Sequence, residues 1–222
     1  MNLLNVSDSI WFKTIRLDKW EKYETKWSEI ITVVSWTIWE ILKWKIKTFE
    51  SSVYHQWEIR ALEDSFLTVF DIKDNDIILN RIDVDQKYWF FCRENWKQLR
   101  ELYDVDGLEK VDLYRWDQIE EEYNGVRYKL NLWFCWKQVD CLWHNQHNFI
   151  EVHTNIAWDW YMQKSIDGTD EGLFETVWLL PWNSHRRFDI KWEKEENGDP
   201  KYPFHRWLGG TSGNIWLVIE KY

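Results

Sequence analysis

The sequence predicts an all-β chain organised as two β-rich halves joined by a more polar stretch. Two observations carry this prediction. Apolar and polar residues alternate with period two: Trp44, Ile46 and Thr48 against Lys43, Lys45 and Lys47, and Val53, His55, Trp57 and Ile59 against Tyr54, Gln56, Glu58 and Arg60. That is the period of a half-exposed strand. Turn-forming clusters also punctuate the apolar runs, such as Lys73-Asp74-Asn75-Asp76 and Gly209-Gly210-Thr211-Ser212-Gly213.

Taken in order, residues 10–82 read as short strands. Phe66 to Ile72 and Ile77 to Ile82 flank the Lys73–Asp76 turn as a hairpin. Trp27 to Leu42 has a helical alternative, because Trp27, Ile30, Ile31, Val34, Ile38 and Leu42 share a face. The β-branched content of Ile30 to Ile38 decides for strand. Residues 83–125 are more polar: Asn95 to Tyr103 and Asp117 to Tyr123 read as short helices or turns, and the stretch as a connection closed by Asn124-Gly125. From 126 to 222 the β pattern returns, with strands expected at Val126–Phe134, Asn148–Ile156, Tyr161–Lys164, Leu173–Leu180, Arg187–Lys191 and Asn214–Glu220. Two β-rich halves of similar length suggest a tandem arrangement.

A chain of 222 residues can bury a full core as one large β domain or two small ones. Its net charge of -10 argues against nucleic acid and anionic membrane surfaces as partners. The most apolar window, Ile30 to Leu42, is too short to span a bilayer and contains Glu40. Met1 to Ser9 has neither the basic start nor the apolar run of a signal peptide. Cys92, Cys135 and Cys141 are odd in number and lack zinc-ligand spacing. Reduced thiols in a cytoplasmic protein are the expectation.

The composition is abnormal in one respect: 20 tryptophans stand against 8 glycines. Average usage would give about fifteen glycines. Many of the tryptophans lie in polar, turn-like company, as in Asp18-Lys19-Trp20-Glu21, Glu94-Asn95-Trp96-Lys97 and Pro181-Trp182-Asn183. Those are contexts where glycine is useful. Some genetic codes read UGA as glycine and others as tryptophan, so most of these tryptophans are expected to stand for glycine. Trp207 and Trp216 are expected to be genuine, Trp216 lying in the apolar run Asn214–Ile219. The alternative is a truly tryptophan-rich protein, such as a sugar-binding platform.

One stretch concentrates the candidate chemistry: Leu179-Leu180-Pro181-Trp182-Asn183-Ser184-His185. It reads as the end of an apolar strand, a tight turn fixed by proline, and an imidazole aimed into a barrel. With glycine at 182 it resembles the second motif of the cupin superfamily, one residue short. Glu151-Val152-His153-Thr154-Asn155 occupies the place of the first motif, with one clear histidine where the family has a close pair. In the first half, Glu29 followed after six residues by Trp36 is similar to the closing part of the first motif. His55-Gln56-Trp57-Glu58-Ile59-Arg60 is similar to the second, with arginine where the family has a metal-binding histidine. The resemblance implies two double-stranded β-helix (jelly-roll) barrels in tandem. The first, residues 10–82, would be degenerate and metal-free, either structural or binding an anion through Arg60. The second, residues 126–222, would carry the site. It also implies a homodimer formed through barrel strands.

Within that frame His153, His185 and His205 are candidate ligands of a divalent metal, iron, manganese, nickel or zinc, with Glu175 or Gln163 completing the shell. Neutral imidazoles and a carboxylate on facing strands can converge on an ion and leave positions open for a substrate. Glu175 would ligate or act as general base, and Arg187 would hold the substrate. Two readings follow. One is a metal-dependent enzyme acting on a sugar derivative or carboxylic acid, as an isomerase, epimerase or oxygenase. The other is a non-catalytic binding or assembly module with a vestigial site. His144 and His147 read better as part of a polar loop, and Gly209–Gly213 as a turn, because it precedes a strand and not a helix.

Overall fold

The computed structural model describes residues 3–7, 10–26, 28–35, 39–41, 44–72, 94–98, 112–116, 118–145, 149–185, 201–211 and 213–222. Within them the chain is all-β, as the alternation predicted, and every strand pairing is antiparallel. The first half forms a five-stranded sheet in the order β1 (Leu3–Ser7), β2 (Ile10–Leu17), β9 (Ser65–Ile72), β4 (Ser28–Ser35) and β7 (Ser51–His55). Two ribbons accompany it: β3 (Lys22–Glu24) with β8 (Glu58–Arg60), and β5 (Trp39–Ile41) with β6 (Trp44–Ile46).

The second half is built on a six-stranded sheet. Its order is β10 (Lys97–Gln98), β11 (Leu113–Arg115), β13 (Val126–Cys135), β18 (Asn214–Lys221) and β14 (Ile150–Ala157), with β12 (Ile119–Tyr123) also on β13. A three-stranded sheet in the order β16 (Leu173–Leu179), β15 (Trp160–Ser165) and β17 (Phe204–Gly209) faces it.

The central strands β13, β18 and β14 are buried on both faces. Leu130, Leu132 and Phe134, with Ile215, Leu217 and Ile219, pack on Phe12, Ile30, Phe66 and Phe70 of the first half. The alternate residues Cys135, Trp216 and Val218 pack on Trp160, Met162 and Trp207 inside the second barrel. Each large apolar side chain so buried contributes about 1.5–3 kcal/mol, which makes the two halves one packed unit. Polar contacts trim the seam: the Arg16 guanidinium donates to Glu121 Oε2 at 2.9 Å and to the Glu122 carbonyl at 2.8 Å. In β4 the choice of strand over helix is explained by the same two-sided burial. Ile31 and Val33 enter a core internal to the first half, while Ile30 and Val34 join the seam.

The alternating stretch Val53–Arg60 is not one strand: it breaks at Gln56, φ 54°, into β7 and β8 of different sheets, and two further expectations differ from the structure. The stretch expected as short helices or turns at Asp117–Tyr123 contains β12, which with β11 hydrogen-bonds along β13, so these residues extend the sheet of the second half. Their polar side chains reflect an outer-face strand: Glu120 and Glu122 are exposed while Tyr123 is buried. Strand β17 was not anticipated, although His205, Trp207 and Gly209 alternate as its buried residues. The expected strands at Ile77–Ile82 and Arg187–Lys191, and the Lys73–Asp76 turn, lie outside the described residues.

The backbone bears on the tryptophans. Glu21 N–H donates to the Asp18 carbonyl at 2.9 Å, closing a turn with Trp20 third, at φ 71°. Asn183 N–H donates to the Leu180 carbonyl at 3.0 Å, closing a turn with Pro181 second and Trp182 third, at φ 60°. Proline second and a positive φ third define a type II turn, whose third position calls for glycine. Trp158, at the corner between β14 and β15, has φ 64°. Phe49 adopts φ 64° in a similar turn, so an aromatic residue there is not confined to tryptophan. Trp160, Trp207 and Trp216 differ in kind: their rings pack tilted against one another, with centroids 5.5 Å (Trp160–Trp216) and 4.6 Å (Trp207–Trp216) apart in the core.

These two classes should respond oppositely to glycine. Trp20 is 59% exposed and has little burial to lose. Trp20→Gly is expected to stabilise the chain by about 1 kcal/mol through release of the left-handed backbone, whereas Trp20→Ala keeps that strain. Trp160→Gly is expected to cost about 3–5 kcal/mol. Urea denaturation measures all three, and a Trp20→Gly chain no more stable than Trp20→Ala would contradict the account.

Candidate functional site

Strand alternation places Glu151, His153 and Asn155 of β14 on the face that lines the second barrel, while Thr154 and Ile156 face the first half. Strand β17 brings His205 to the same space. Glu151 Oε1 lies 3.1 Å from His205 Nε2 and 3.5 Å from His153 Nε2. All three side chains are buried, His205 completely. Beneath them the barrel is filled by Trp160, Trp207, Trp216 and Met162, so its polar groups gather at one end.

The protonation of His205 follows from its surroundings. Its Nδ1 is 3.2 Å from the Pro203 carbonyl, which can only accept, so Nδ1 carries the proton. Nε2 then either bears a second proton toward Glu151 or presents a lone pair to that carboxylate, an arrangement needing a proton or a cation between them. Commitment of one ring nitrogen to a backbone carbonyl is also how metal-ligating histidines are oriented. Two donor atoms bound to one ion at about 2.1 Å, at tetrahedral or octahedral angles, stand roughly 3.0–3.4 Å apart. The Glu151–His205 separation of 3.1 Å falls in that interval, and the Glu151–His153 separation of 3.5 Å lies just outside it. The donor types suit a divalent ion, and one of the two spacings lies in the range for a shared ligand pair. Among the described residues no group of three or more His, Cys, Asp or Glu side chains is placed so that it could hold a metal ion. The cluster is closed on itself by its own short contacts.

His185 lies 4.8 Å from His153, ring to ring, but plays a different part. Its backbone N–H donates to the His153 carbonyl at 3.2 Å, and its Nε2 accepts the His153 backbone N–H at 2.9 Å. The side chain thus clamps the edge of β14 and commits the nitrogen that a metal would use. Glu175 also stands apart: its carboxylate is 44% exposed and pairs with Lys164 Nζ at 2.6 Å. The carboxylate within the histidine cluster is Glu151, which the choice of Glu175 passed over. The signal was present in Glu151-Val152-His153, since residues two apart on a strand share a face. Lys164 was missed as well; it is cross-strand neighbour to His205 and nearly buried. Gln163 accepts from Arg206 Nε at 2.9 Å, with both side chains alternating away from the buried Met162 and Lys164. Arg187 and His147 lie outside the described residues. His144 stacks on His205 at 4.3 Å, in a loop held by main-chain bonds to residue 205.

Glu220 lies directly across from Glu151 on β18. Burial, aided by the Glu151 charge, raises its carboxyl above the ordinary range, against the lowering effect of the Tyr222 hydroxyl that donates to it at 2.8 Å. The first half carries a parallel arrangement. Glu29 is fully buried, accepts from the Tyr23 hydroxyl at 2.7 Å and pairs with Lys13 Nζ at 3.3 Å. Asp71 stands opposite it on β9. Burial raises the Glu29 carboxyl despite Tyr23 and Lys13, and burial together with Glu29 pushes the Tyr23 phenol up. Arg60, expected as an anion holder, is on the exposed face of β8 and lies 3.6 Å from Glu58 Oε1.

No family model matches the chain, and no curated protein matches it. Among solved structures, the chain is similar to a cupin 2 conserved barrel domain protein from Leptotrichia buccalis, at 12% identity over 100% of this chain and 88% of that one, with a TM-score of 0.37. It is similar to a variant of oxalate decarboxylase from Bacillus subtilis at 14% identity over 97% of this chain and 69% of that one, TM-score 0.32. An oxalate oxidase is matched at 7% identity over 42% of this chain and 41% of that one, TM-score 0.32.

The raised Glu29 carboxyl makes a pH prediction. The folded chain holds this proton more tightly than the unfolded chain. Its contribution is therefore fully present below the ordinary carboxylate range and is lost as pH rises through the higher folded value. In Glu29→Gln, unfolding free energy should fall less steeply between about pH 4.5 and 7 than in the unaltered chain. Chemical denaturation across that interval checks it; parallel slopes would contradict the assignment.

Proposed function

We propose that the chain is a cupin-like protein whose second barrel binds a divalent metal ion through Glu151, His153 and His205, and beside it a small polar ligand such as a sugar derivative or carboxylic acid. The observation that carries the proposal is the His205 ring. With Nδ1 committed to Pro203, its Nε2 is aimed at a buried carboxylate 3.1 Å away. A cation shared between these groups would offset the cost of burying them. The ion, when bound, would supply Lewis-acid polarisation of a ligand oxygen. The Lys164 ammonium, held by Glu175, is the cation next to the cluster and would orient a ligand carboxylate. Arg187 remains the second candidate for that task.

The packing of Trp160, Trp207 and Trp216 beneath the cluster supports a second reading, binding without turnover. In line with the left-handed backbone at Trp20, Trp158 and Trp182, we also propose that the natural chain carries glycine at these three positions, each encoded by UGA.

Metal analysis of chelator-free protein tests the site. The unaltered chain is expected to hold stoichiometric metal and the His153→Ala/His205→Ala chain to lose it. His185→Ala should retain metal while losing about 1 kcal/mol of stability with its backbone clamp. Folded protein lacking metal in every case would overturn the metal proposal and leave the binding-module reading.

A further inference from the structure

A polar cluster is buried in the first half beneath the β3–β8 ribbon. Strand alternation turns Lys13 of β2, Glu29 of β4, Tyr54 of β7 and Asp71 of β9 away from the seam, to the side that Ile31 and Val69 also take. Tyr23 reaches them from the ribbon. Its hydroxyl lies 2.7 Å from Glu29 Oε2 and 2.9 Å from Oε1. Lys13 Nζ stands 3.3 Å from Oε1 and 5.1 Å from the centre of the Tyr23 ring. Glu29 has no exposed surface, so sheet and ribbon together seal it.

The charges in this space do not balance. Glu29 and Asp71 occupy directly opposed register positions, and among the described residues Lys13 is the cation paired there. Asp71 Oδ1 is shielded from solvent and has no hydrogen-bond partner. Like charges directly opposite destabilise a strand pair, and a carboxylate out of water is costly unless fully paired. Burial holds the Tyr23 and Tyr54 phenols above their ordinary range, so neither adds a charge near neutrality. The closed cluster therefore favours a proton on its carboxylates. Burial raises the Glu29 carboxyl in the same sense, against Tyr23 and Lys13 and with Asp71.

The ribbon is the part that can yield. It is a two-stranded sheet of its own, set off by left-handed corners at Trp20, φ 71°, and Gln56, φ 54°. Tyr23 and Ile59 form its inner face. Lys22, Glu24, Glu58 and Arg60 form the exposed outer one, where Lys22 Nζ lies 2.9 Å from Glu58 Oε2 and holds that carboxyl below its ordinary range. Lifting the ribbon hydrates Glu29 and Asp71 while the seam, on the other face of the sheet, stays packed.

We infer that the β3–β8 ribbon is a pH-dependent strap over the first half, shut while Glu29 carries a proton and loosened as that proton is lost. The open form binds the proton with ordinary carboxylate affinity and the closed form more tightly. Opening therefore becomes easier as pH rises through the ordinary range, and levels off above the folded value. Tyr23 donates to Glu29 in both protonation states, so it limits the opening at every pH.

Native-state hydrogen exchange in low urea between about pH 4.5 and 7, with rates divided by the intrinsic rate at each pH, tests the strap. The Thr25 and Ala61 amides report on it, since they bond the Trp57 and Glu21 carbonyls across the ribbon at 2.9 and 3.0 Å. The β4–β9 ladder reports on global unfolding. Ribbon amides should exchange through a local opening with little urea dependence, its equilibrium constant rising at least about fivefold over the interval. Glu29→Gln should remove the rise, and Tyr23→Phe should increase the constant about fivefold at the acid end. Ribbon amides as protected and as urea-dependent as the β4–β9 ladder, or an opening constant that ignores pH, would overturn the inference. So would a rise that persists in Glu29→Gln, or ribbon protection unchanged in Tyr23→Phe.

Discussion

The structure depends on one sheet that is buried on both faces. In β13, β18 and β14 consecutive residues serve different ends, one facing the first half and the next lining the second barrel. Because the period of a strand is two, a slip of one residue would exchange the two sets completely. Ile219 would turn inward and Val218 outward, and His153 would leave the barrel for the seam. The apolar seam with Phe12, Phe66 and Phe70 therefore fixes more than stability. It sets the register that delivers Glu151 and His153 to the same space as His205.

That register is secured where β14 would otherwise end the sheet. His185 supplies both a backbone donor and an imidazole acceptor to residue 153, and Ser184 bridges to Thr154. Among the described residues the edge of β14 is covered by the Ser184-His185 segment, which blunts it against stray pairing. The same capping explains why two histidines so near each other have unlike roles. One is held by its backbone and points inward; the other spends its ring on holding it.

Much of the fold was legible in the sequence because alternation is a direct imprint of a two-faced strand. Trp44–Ile46 lies in the stretch where alternation was read, whereas the alternation across Val53–Arg60 is cut at Gln56 into two strands of different sheets, and β-branched residues settled Ser28–Ser35. Ile119–Tyr123 was misread since an outer strand with alternating glutamates looks like a polar connection. Among the candidate residues, sequence singled out His153 and His205, which the fold brings to one carboxylate, but not that carboxylate. Glu151 and Glu175 are chemically alike, and only the facing of two sheets separates the carboxylate that meets imidazoles from the one that meets Lys164. Nor could sequence show that His185 Nε2 is taken by a backbone N–H. The turn at Pro181-Trp182 has the backbone that favours glycine, with φ 60° at Trp182, a conformation that proline at the second position permits without dictating.

Glu151 is the carboxylate placed between two histidines, and the proposed ion would sit with it. Cobalt(II) titration, followed by visible absorption, compares the unaltered chain with Glu151→Gln and Glu175→Gln. A saturable band that persists in Glu175→Gln and is lost in Glu151→Gln is the expected result. The reverse pattern, with Glu175→Gln losing the band and Glu151→Gln keeping it, would contradict the site as built here.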